Sequence, residues 1–340
     1  MQIDKSAVLI LNWNNPEDTI ACLQSILCLN DLGDVDVFII DNGSTDDSVQ
    51  RFEAWGRTSP AQIHGFDSVL IGADRNLIQP ISTLAISSSR FHLVKCERNH
   101  LYSGGNNVGL RLARGLDRFN FFWLLNNDTL VFPETFTHLR EAACGDSKIG
   151  LVGSTLVYKN GFTVQALGGA EIIPWRATTR LLGNLERLCI PPITASPKDL
   201  DCIVGASMLI TRDFLDIVGM IEEGFGMYFE EPDLGLRGKT AGFQIVHAAK
   251  SIVIHKEGGT ISSDNPDGGP SVNQAFWSNQ SRLLFIWKHY PWYIINALFF
   301  VIFQSLRFLL SCRVDLFVAS IRGAKSFIKR LCLGEINFTN

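Results

Sequence analysis

Two adjacent carboxylates, Glu230 and Glu231, follow an aromatic run in FGMYFEEPDLGLRGKTAGF, Phe225 to Phe243, and a third acid, Asp233, stands two residues on. Acids beside an apolar run are split in pKa by burial and mutual repulsion, which prepares one of them as a general base. The same spacing also suits a helix start, with acids at the positive end of the dipole and Pro232 in the first turn. Arg237 lies four residues after Asp233, the spacing of a helix ion pair. Other polar groups stand where apolar runs stop. Asn12 and Trp13 end AVLILNWN, Asp41 ends VFIID, Asn126, Asn127 and Asp128 end FFWLLNND, and His255 ends SIVIH.

The runs that carry these groups read as buried parallel strands whose carboxyl ends open into loops, and in open α/β sheets ligands sit in the crevice beyond those ends. Between them, RNHLYSGGNNVGLRLA, Arg98 to Ala113, reads as a Gly/Asn-rich loop leading into a helix. There Gly104 and Gly105 allow close backbone approach, and Asn106 and Asn107 offer amide donors to a ribose or phosphate. A dinucleotide fingerprint would follow the first strand directly. This loop follows the third candidate strand, FHLVKCERN, and reads GGNNVG, which speaks against a nicotinamide cofactor.

In this order the motifs resemble the inverting family 2 glycosyltransferases, in particular the bacterial rhamnosyltransferase-like branch, from about Ala7 to Thr260. The resemblance implies a GT-A fold, an α/β architecture with a mostly parallel central sheet. It implies a nucleotide-binding half over about 1–130 and an acceptor half over about 131–260. It implies that Asp41 reads the pyrimidine base of a nucleotide-diphospho-sugar, with Asn12, Trp13, Gly104, Gly105, Asn106, Asn126 and Asn127 around the donor. Asn126-Asn127-Asp128 stands where most members carry Asp-x-Asp, a divalent-metal and diphosphate site. HKEGGT matches a His-x-x-Gly-x-Ser/Thr signature, which makes His255 the further ligand beside Asp128. Mg²⁺ or Mn²⁺ would suit, because hard cations take oxygen ligands and hold diphosphates with few protein groups. The acid pair, usually Glu-Asp and here Glu-Glu, supplies the base. The family position corresponds to Glu231, with Glu230 as reserve because Glu reaches about 1.5 Å further than Asp. Asp233, Arg237 and Trp175 are candidates for acceptor or diphosphate contacts. Members often carry an Arg-Asn pair near the domain end, where this chain has Gln280-Ser281 followed by Arg282.

At 340 residues and 46% hydrophobic content the chain buries a substantial core. A net charge of −4 argues against nucleic acid as a partner. Eight scattered cysteines without ligand spacing are those of a reduced, cytosolic protein, and five apolar residues before Asn12 make no signal peptide. Residues 57–90, rich in Ser, Ile and Gly, read as an insertion, and Gly168 to Asp201 as a long irregular stretch on the acceptor side.

Residues 261–340 read as a helical membrane-associating segment. PWYIINALFFVIFQSLRFLLS, Pro291 to Ser311, is the most hydrophobic stretch. Asn296, Gln304, Arg307 and Ser311 share one sector of its helical wheel, and Arg322, Lys325 and Lys329 return to it if the helix continues. Six basic residues against two acidic ones leave the tail from Ser305 at +4 and the rest of the chain at −8. One-sided polarity with a basic face describes a helix lying in the bilayer interface; a core helix and a true span are the alternatives. The expectation is therefore an inverting, metal-dependent hexosyltransferase, peripherally attached to the inner face of the cell membrane. It would move a sugar such as rhamnose to a lipid-linked or cell-envelope glycan. A catalytically weak GT-A nucleotide-binding protein that scaffolds glycan assembly is the alternative.

Overall fold

A computed structural model describes residues 5–71, 90–189, 191–196, 198–256 and 269–334. Its strands form where the apolar runs stand: β1 (Lys5–Asn12), β2 (Val35–Asp41), β3 (Phe66–Ile71), β4 (Phe91–Cys96), β5 (Phe119–Asn126) and β6 (Thr129–Val131). The second half adds β7 (Ile149–Tyr158), β8 (Val164–Leu167), β9 (Gly169–Ile173), β10 (Thr178–Leu181), β11 (Cys202–Ile203), β12 (Ser207–Thr211) and β13 (Gln244–His255). The main sheet runs β3-β4-β2-β1-β5-β12-β7-β13-β6, with β8 paired to β7. β1 to β5 are mutually parallel where they pair, and β12 runs antiparallel to both its neighbours. Because the central strands are covered on both faces, every residue of β2 is buried, which is why VDVFIID reads as an unbroken apolar run.

Helices α1 (Pro16–Ile26), α2 (Ser48–Gly56), α3 (Ser59–His64), α4 (Leu101–Gly115), α5 (Thr135–Ala143), α6 (Arg212–Val218) and α7 (Glu230–Thr240) pack around this sheet. Alternation along β1 and β2 splits the core in two. Val8, Ile10, Val37 and Ile39 meet Leu23, Phe52 and Leu139 on one face, from α1, α2 and α5. Ala7, Leu9, Phe38 and Ile40 meet Leu110 and Phe214 on the other, from α4 and α6. Full burial of each large side chain contributes about 1.5–3 kcal/mol, so both packed faces hold the central strands in place.

A third cluster gathers Phe225, Leu283, Phe285, Ala297, Val301 and Phe327 with Ile172 and Ala177. It lies among α8 (Val272–His289), α9 (Ile294–Leu310), α10 (Val314–Cys332) and the β9–β10 hairpin.

Four expectations change. The GGNN stretch is helix from Leu101 onward, because Leu101 takes a left-handed φ of 60° that turns the chain straight into α4. Gly105 then faces the sheet: a Cβ there would meet Leu11 Cδ1 at 2.5 Å. The 57–90 segment contributes α3 and the edge strand β3, while 72–89 lies outside the described residues, as does most of HKEGGT, from Glu257 to Thr260. Gly168 to Asp201 is not wholly irregular, since β9 pairs with β10 and with β11 in a separate three-stranded sheet. The polar sector does not continue past Ser311, because the chain turns at Cys312, φ 57°, and α10 folds back so that Ser305 Oγ donates to Ser320 Oγ at 2.9 Å.

Candidate active site

Strand register sets the polar tails side by side. Asn12 is opposite Asp41, and Leu11 opposite Asn126, so three strands end at one edge. Asn12 Nδ2 donates to Asp41 Oδ1 at 3.0 Å and to Ser44 Oγ at 3.1 Å, while Thr19 Oγ1 donates to Asn12 Oδ1 at 2.8 Å. Asn127 Nδ2 extends the chain to Thr19 Oγ1 at 3.0 Å. Asp41 is buried and closes an Asx turn: Oδ1 also takes the Ser44 hydroxyl at 2.6 Å, and Oδ2 the Ser44 amide at 3.2 Å. A carboxylate has about four lone-pair sites, so among the described residues these three bonds leave one acceptor position. Trp13 stands at the mouth of this edge, one-third exposed at 36%.

β6 and β13 pair antiparallel with His255 opposite Thr129, and Lys256 N donates to the Asp128 carbonyl at 3.0 Å. That pairing brings His255 Nε2 to 3.3 Å from Asp128 Oδ1. On the far side of the ring, Nδ1 lies 2.9 Å from Gln165 Oε1. An amide oxygen only accepts, so Nδ1 carries a proton toward Gln165, and the Nε2 edge of the ring faces the carboxylate. Two bases converging on one small space suit a cation between them, and these residue types fit a divalent ion that draws its remaining ligands from a diphosphate. Among the described residues no third His, Cys, Asp or Glu joins them.

The acid pair opens α7. Tyr228 and Phe229 both take a left-handed φ of 67°, which swings the chain into the helix and carries Glu230 inward. Glu230 is buried, and its Oε2 has no hydrogen-bond partner among the described residues. Burial pushes its pKa well above the usual carboxylate range, and the charges of Glu231 and Asp233 push the same way. Burial raises Glu231 too, but backbone N–H groups at the helix start and at Gly205 hold it back, the latter donating to Oε1 at 3.2 Å. Burial thus raises both carboxyls, and Glu231, which accepts from the Gly205 amide, is raised less strongly than Glu230.

Gly205 joins the acid to the strand edge. Its neighbour Ala206 accepts the Asn126 amide at 3.0 Å, and its own carbonyl accepts the Tyr102 hydroxyl at 3.1 Å. A Cβ at Gly205 would stand 2.2 Å from Tyr102 Oη and 2.7 Å from Glu231 Oε1. Sequence reading missed Tyr102, Gly205 and Gln165. Tyr102 lay inside the Arg98–Ala113 motif without being singled out, and Gly205 lay in no motif.

Several expected contacts lie elsewhere. Asn106 donates to the Tyr102 carbonyl of its own helix at 3.0 Å, and Asn107 to the Ile221 carbonyl at 2.8 Å. Gly104 and Gly105 are buried in α4. These are corrections: helical hydrogen bonding and packing against the sheet take the groups that a loop would offer to a donor. Asp233 is fully buried, bonded to Arg237 Nε at 2.8 Å, Lys288 Nζ at 2.9 Å and His289 Nε2 at 2.8 Å. His289 and the cations Arg237 and Lys288 hold its pKa well below the usual carboxylate range. Arg237 gives its other nitrogens to the Val218 and Met220 carbonyls, each at 2.9 Å. Both groups are thus spent on joining α7 to its neighbours. Trp175 lies exposed at the β9–β10 tip beside α9, where its carbonyl accepts from Asn296 Nδ2 at 3.3 Å.

The Glycosyl transferase family 2 profile matches residues 72–202, somewhat over a third of the chain. The chain is similar to the low-salt glycan biosynthesis hexosyltransferase Agl10 of Haloferax volcanii, 25% identical over 173 residues, 50% of this chain and 53% of that one. It spans about half the length of that curated relative. Among solved structures, the mannosyltransferase PcManGT of Pyrobaculum calidifontis, in complex with GDP-Man and Mn²⁺, aligns at TM-score 0.52 and 12% identity over 94% of this chain and 87% of that one. GalNAc-T7 with UDP, GalNAc and Mn²⁺ aligns at 0.54 and 12%, over 85% and 48%. At such identities the likeness carries the fold alone, and that fold is GT-A.

Proposed function

We propose that the protein is an inverting hexosyltransferase that moves a sugar, rhamnose in the first instance, from a pyrimidine nucleotide-diphospho-sugar to a hydroxyl of a lipid-linked or cell-envelope glycan. One observation carries this reading. The strand tail that ends in Asp128 and the acid Glu231 are joined through two consecutive residues, Ala206 and Gly205, so base and diphosphate site share one edge. Glu231 takes the proton of the acceptor hydroxyl while that oxygen bonds to the anomeric carbon. The bond from that carbon to the diphosphate breaks, and the single displacement inverts the centre without an enzyme-bound sugar. Asp128 and His255 would hold a divalent ion, which when bound offsets the charge of the leaving diphosphate. The open acceptor position on Asp41 supports recognition of a pyrimidine N3–H.

Membrane attachment belongs to the same reading. Pro291–Leu310 is long and apolar enough to cross a bilayer, with mean hydropathy 1.8, and only 17% of that stretch is buried. That exposure favours a surface helix over a core helix. Ala297, Val301 and Ser305 turn inward, whereas Ile295, Phe299, Phe303 and Leu306 face outward. The turn after Ser311 and the basic residues on α10 favour a helix lying on an anionic surface over one crossing it.

The test is mass spectrometry of products from thymidine-, uridine- and guanosine-diphospho-sugars, with lipid extract as acceptor. A new glycoconjugate from a thymidine or uridine donor supports the proposal. Transfer from guanosine donors only would overturn the base assignment, and nucleotide binding without sugar consumption would leave the scaffold role instead.

A further inference from the structure

Arg282 is a buried cation that this reaction does not use. It sits within α8, 7% exposed, and its guanidinium carbon lies 4.2 Å from the ring centroid of Phe300 on α9 and 5.4 Å from that of Phe229. One terminal nitrogen donates to the Ala177 carbonyl at the β9–β10 tip, and Nε has no partner among the described residues. Burial lowers its pKa to about 10, so holding the charge there is costly, and two ring faces offset part of that cost. An apolar side chain of similar length would pack this space without the penalty. Packing alone does not call for an arginine.

The four elements that meet at this guanidinium differ in what they face. α9 turns its apolar side outward, and the hairpin tip carries exposed Trp175. Phe229 is the residue before Glu230. It and Tyr228 are consecutive non-glycine residues in left-handed backbone, a strained state that persists only where the surroundings enforce it. α8 does the enforcing. Ser281 Oγ is 2.9 Å from the carbonyls of both Phe225 and Met227, the Phe285 ring lies 5.3 Å from that of Phe229, and Arg282 holds the same ring to Phe300.

We propose that Arg282 is a positioning residue that couples the seating of α9 on a lipid surface to the geometry of the Glu230–Glu231 pair. The inference rests on the membrane-attached transferase reading. With α9 seated, Phe300 keeps the guanidinium over Phe229 and the turn keeps Glu231 aimed at the acceptor. With α9 free to shift, the strained turn relaxes and the pair moves.

The experiment is hydrogen–deuterium exchange on the full chain, with and without phosphatidylcholine–phosphatidylglycerol vesicles. It follows the peptides over residues 294–310 and 225–236 in wild type, Arg282→Met, Arg282→Lys and Phe300→Leu. In wild type, vesicles should slow exchange in both segments, by about tenfold in the second. Arg282→Met and Phe300→Leu should keep the slowing on α9 and lose it at 225–236, and Arg282→Lys, which retains a cation over the rings, should recover part of it. Should Arg282→Met fail to unfold cooperatively, Phe300→Leu decides, since it leaves the arginine and the outer face of α9 in place. Slowing on α9 alone in wild type would overturn the coupling while leaving attachment intact. Equal slowing at 225–236 in all four proteins would overturn the role of Arg282. No slowing in either segment would overturn attachment and coupling together.

Discussion

Glu230 and Glu231 are neighbours in the chain, and the different roles proposed for them follow from where each carboxyl group ends. Glu231 keeps one oxygen on the Gly205 amide, which leaves the other for the acceptor. Glu231→Gln should lower kcat by about 10²–10⁴-fold with donor affinity little changed, measured by initial rates and by donor titration. Wild-type turnover in that variant would move the role to Glu230. Glu230 has the opposite linkage to a salt-bridged acid. Its folded pKa lies above the unfolded one, so the unfolded chain binds fewer protons once pH passes the ordinary carboxylate range, about 4.3. Stability is therefore lost as pH rises from there toward the raised value. Glu230→Gln should flatten the fall of Tm between pH 5 and 8, and a gain of about 1 kcal/mol at neutral pH would show as a Tm rise of about 2 °C. A variant that melts with the wild-type pH dependence would contradict this. Gly205→Ala forces a methyl group between Tyr102 and Glu231. A displacement near 1 Å costs about 10²-fold, so kcat should fall by that order while the KM for donor holds; an unchanged kcat would show that the loop gives way freely.

At the scale of elements, the β6–β13 pairing does for the diphosphate side what the start of α7 does for the base. Neither Asp128 nor His255 is placed by its own loop; each is placed by strand register. Gln165, on β8, then orients the imidazole from behind. Removing such a partner lowers metal affinity by about 10–100-fold. Gln165→Leu should weaken Mn²⁺ binding by that factor in calorimetry, and Asp128→Asn should weaken it further. EDTA should abolish transfer and Mg²⁺ or Mn²⁺ restore it, so full activity in excess chelator would count against the assignment. The α8 helix is the other organising element. Its Ser281, Arg282, Phe285, Lys288 and His289 all reach the segment from Phe225 to Asp233. Ser281 and Arg282 therefore lie on the helix that buttresses the turn before the proposed base. Gln280 itself accepts from Ser326 Oγ at 2.6 Å, toward α10.

For the whole molecule, the C-terminal helices are not a detachable appendage. Phe327 and Val301 share a cluster with Phe225, and Arg330 donates to the Gly224 carbonyl at 2.6 Å. A chain cut before Pro291 would bare that cluster, so truncation is a poor way to separate attachment from activity. Substitution on the outer face separates them. Phe299→Glu with Phe303→Glu, at positions 69% and 63% exposed, should abolish flotation with anionic vesicles and leave Tm within about 2 °C of wild type. Binding of the unaltered chain should weaken with salt, because the basic residues on α10 act across a screened distance of about 8–10 Å. Retention of the double variant on vesicles, or failure of the wild type to float at low salt, would refute the interfacial placement.

Much of this was legible in the chain because it rests on local patterning. Buried parallel strands must be apolar throughout and must end in polar residues where they leave the core, so VFIID and FFWLLNND declared both the strands and the groups at their tips. The adjacent acids after an aromatic run declared a perturbed pair. Their order along the chain pointed to a GT-A arrangement before any contact was known. What tertiary structure decided were matters of register, direction and enclosure. GGNN reads as a loop by composition, yet the missing side chains serve the packing of α4 on β1. The proposed preference for Glu231 over Glu230 rests on which carboxyl meets the Gly205 amide, a contact between groups 26 residues apart. The Pro291–Leu310 helix has one hydropathy whether buried or exposed, and only its neighbours show that a small-residue face turns inward and an aromatic face outward. Sequence carries the propensity of each segment; which partner a side chain finds depends on how segments distant in the chain pack against one another.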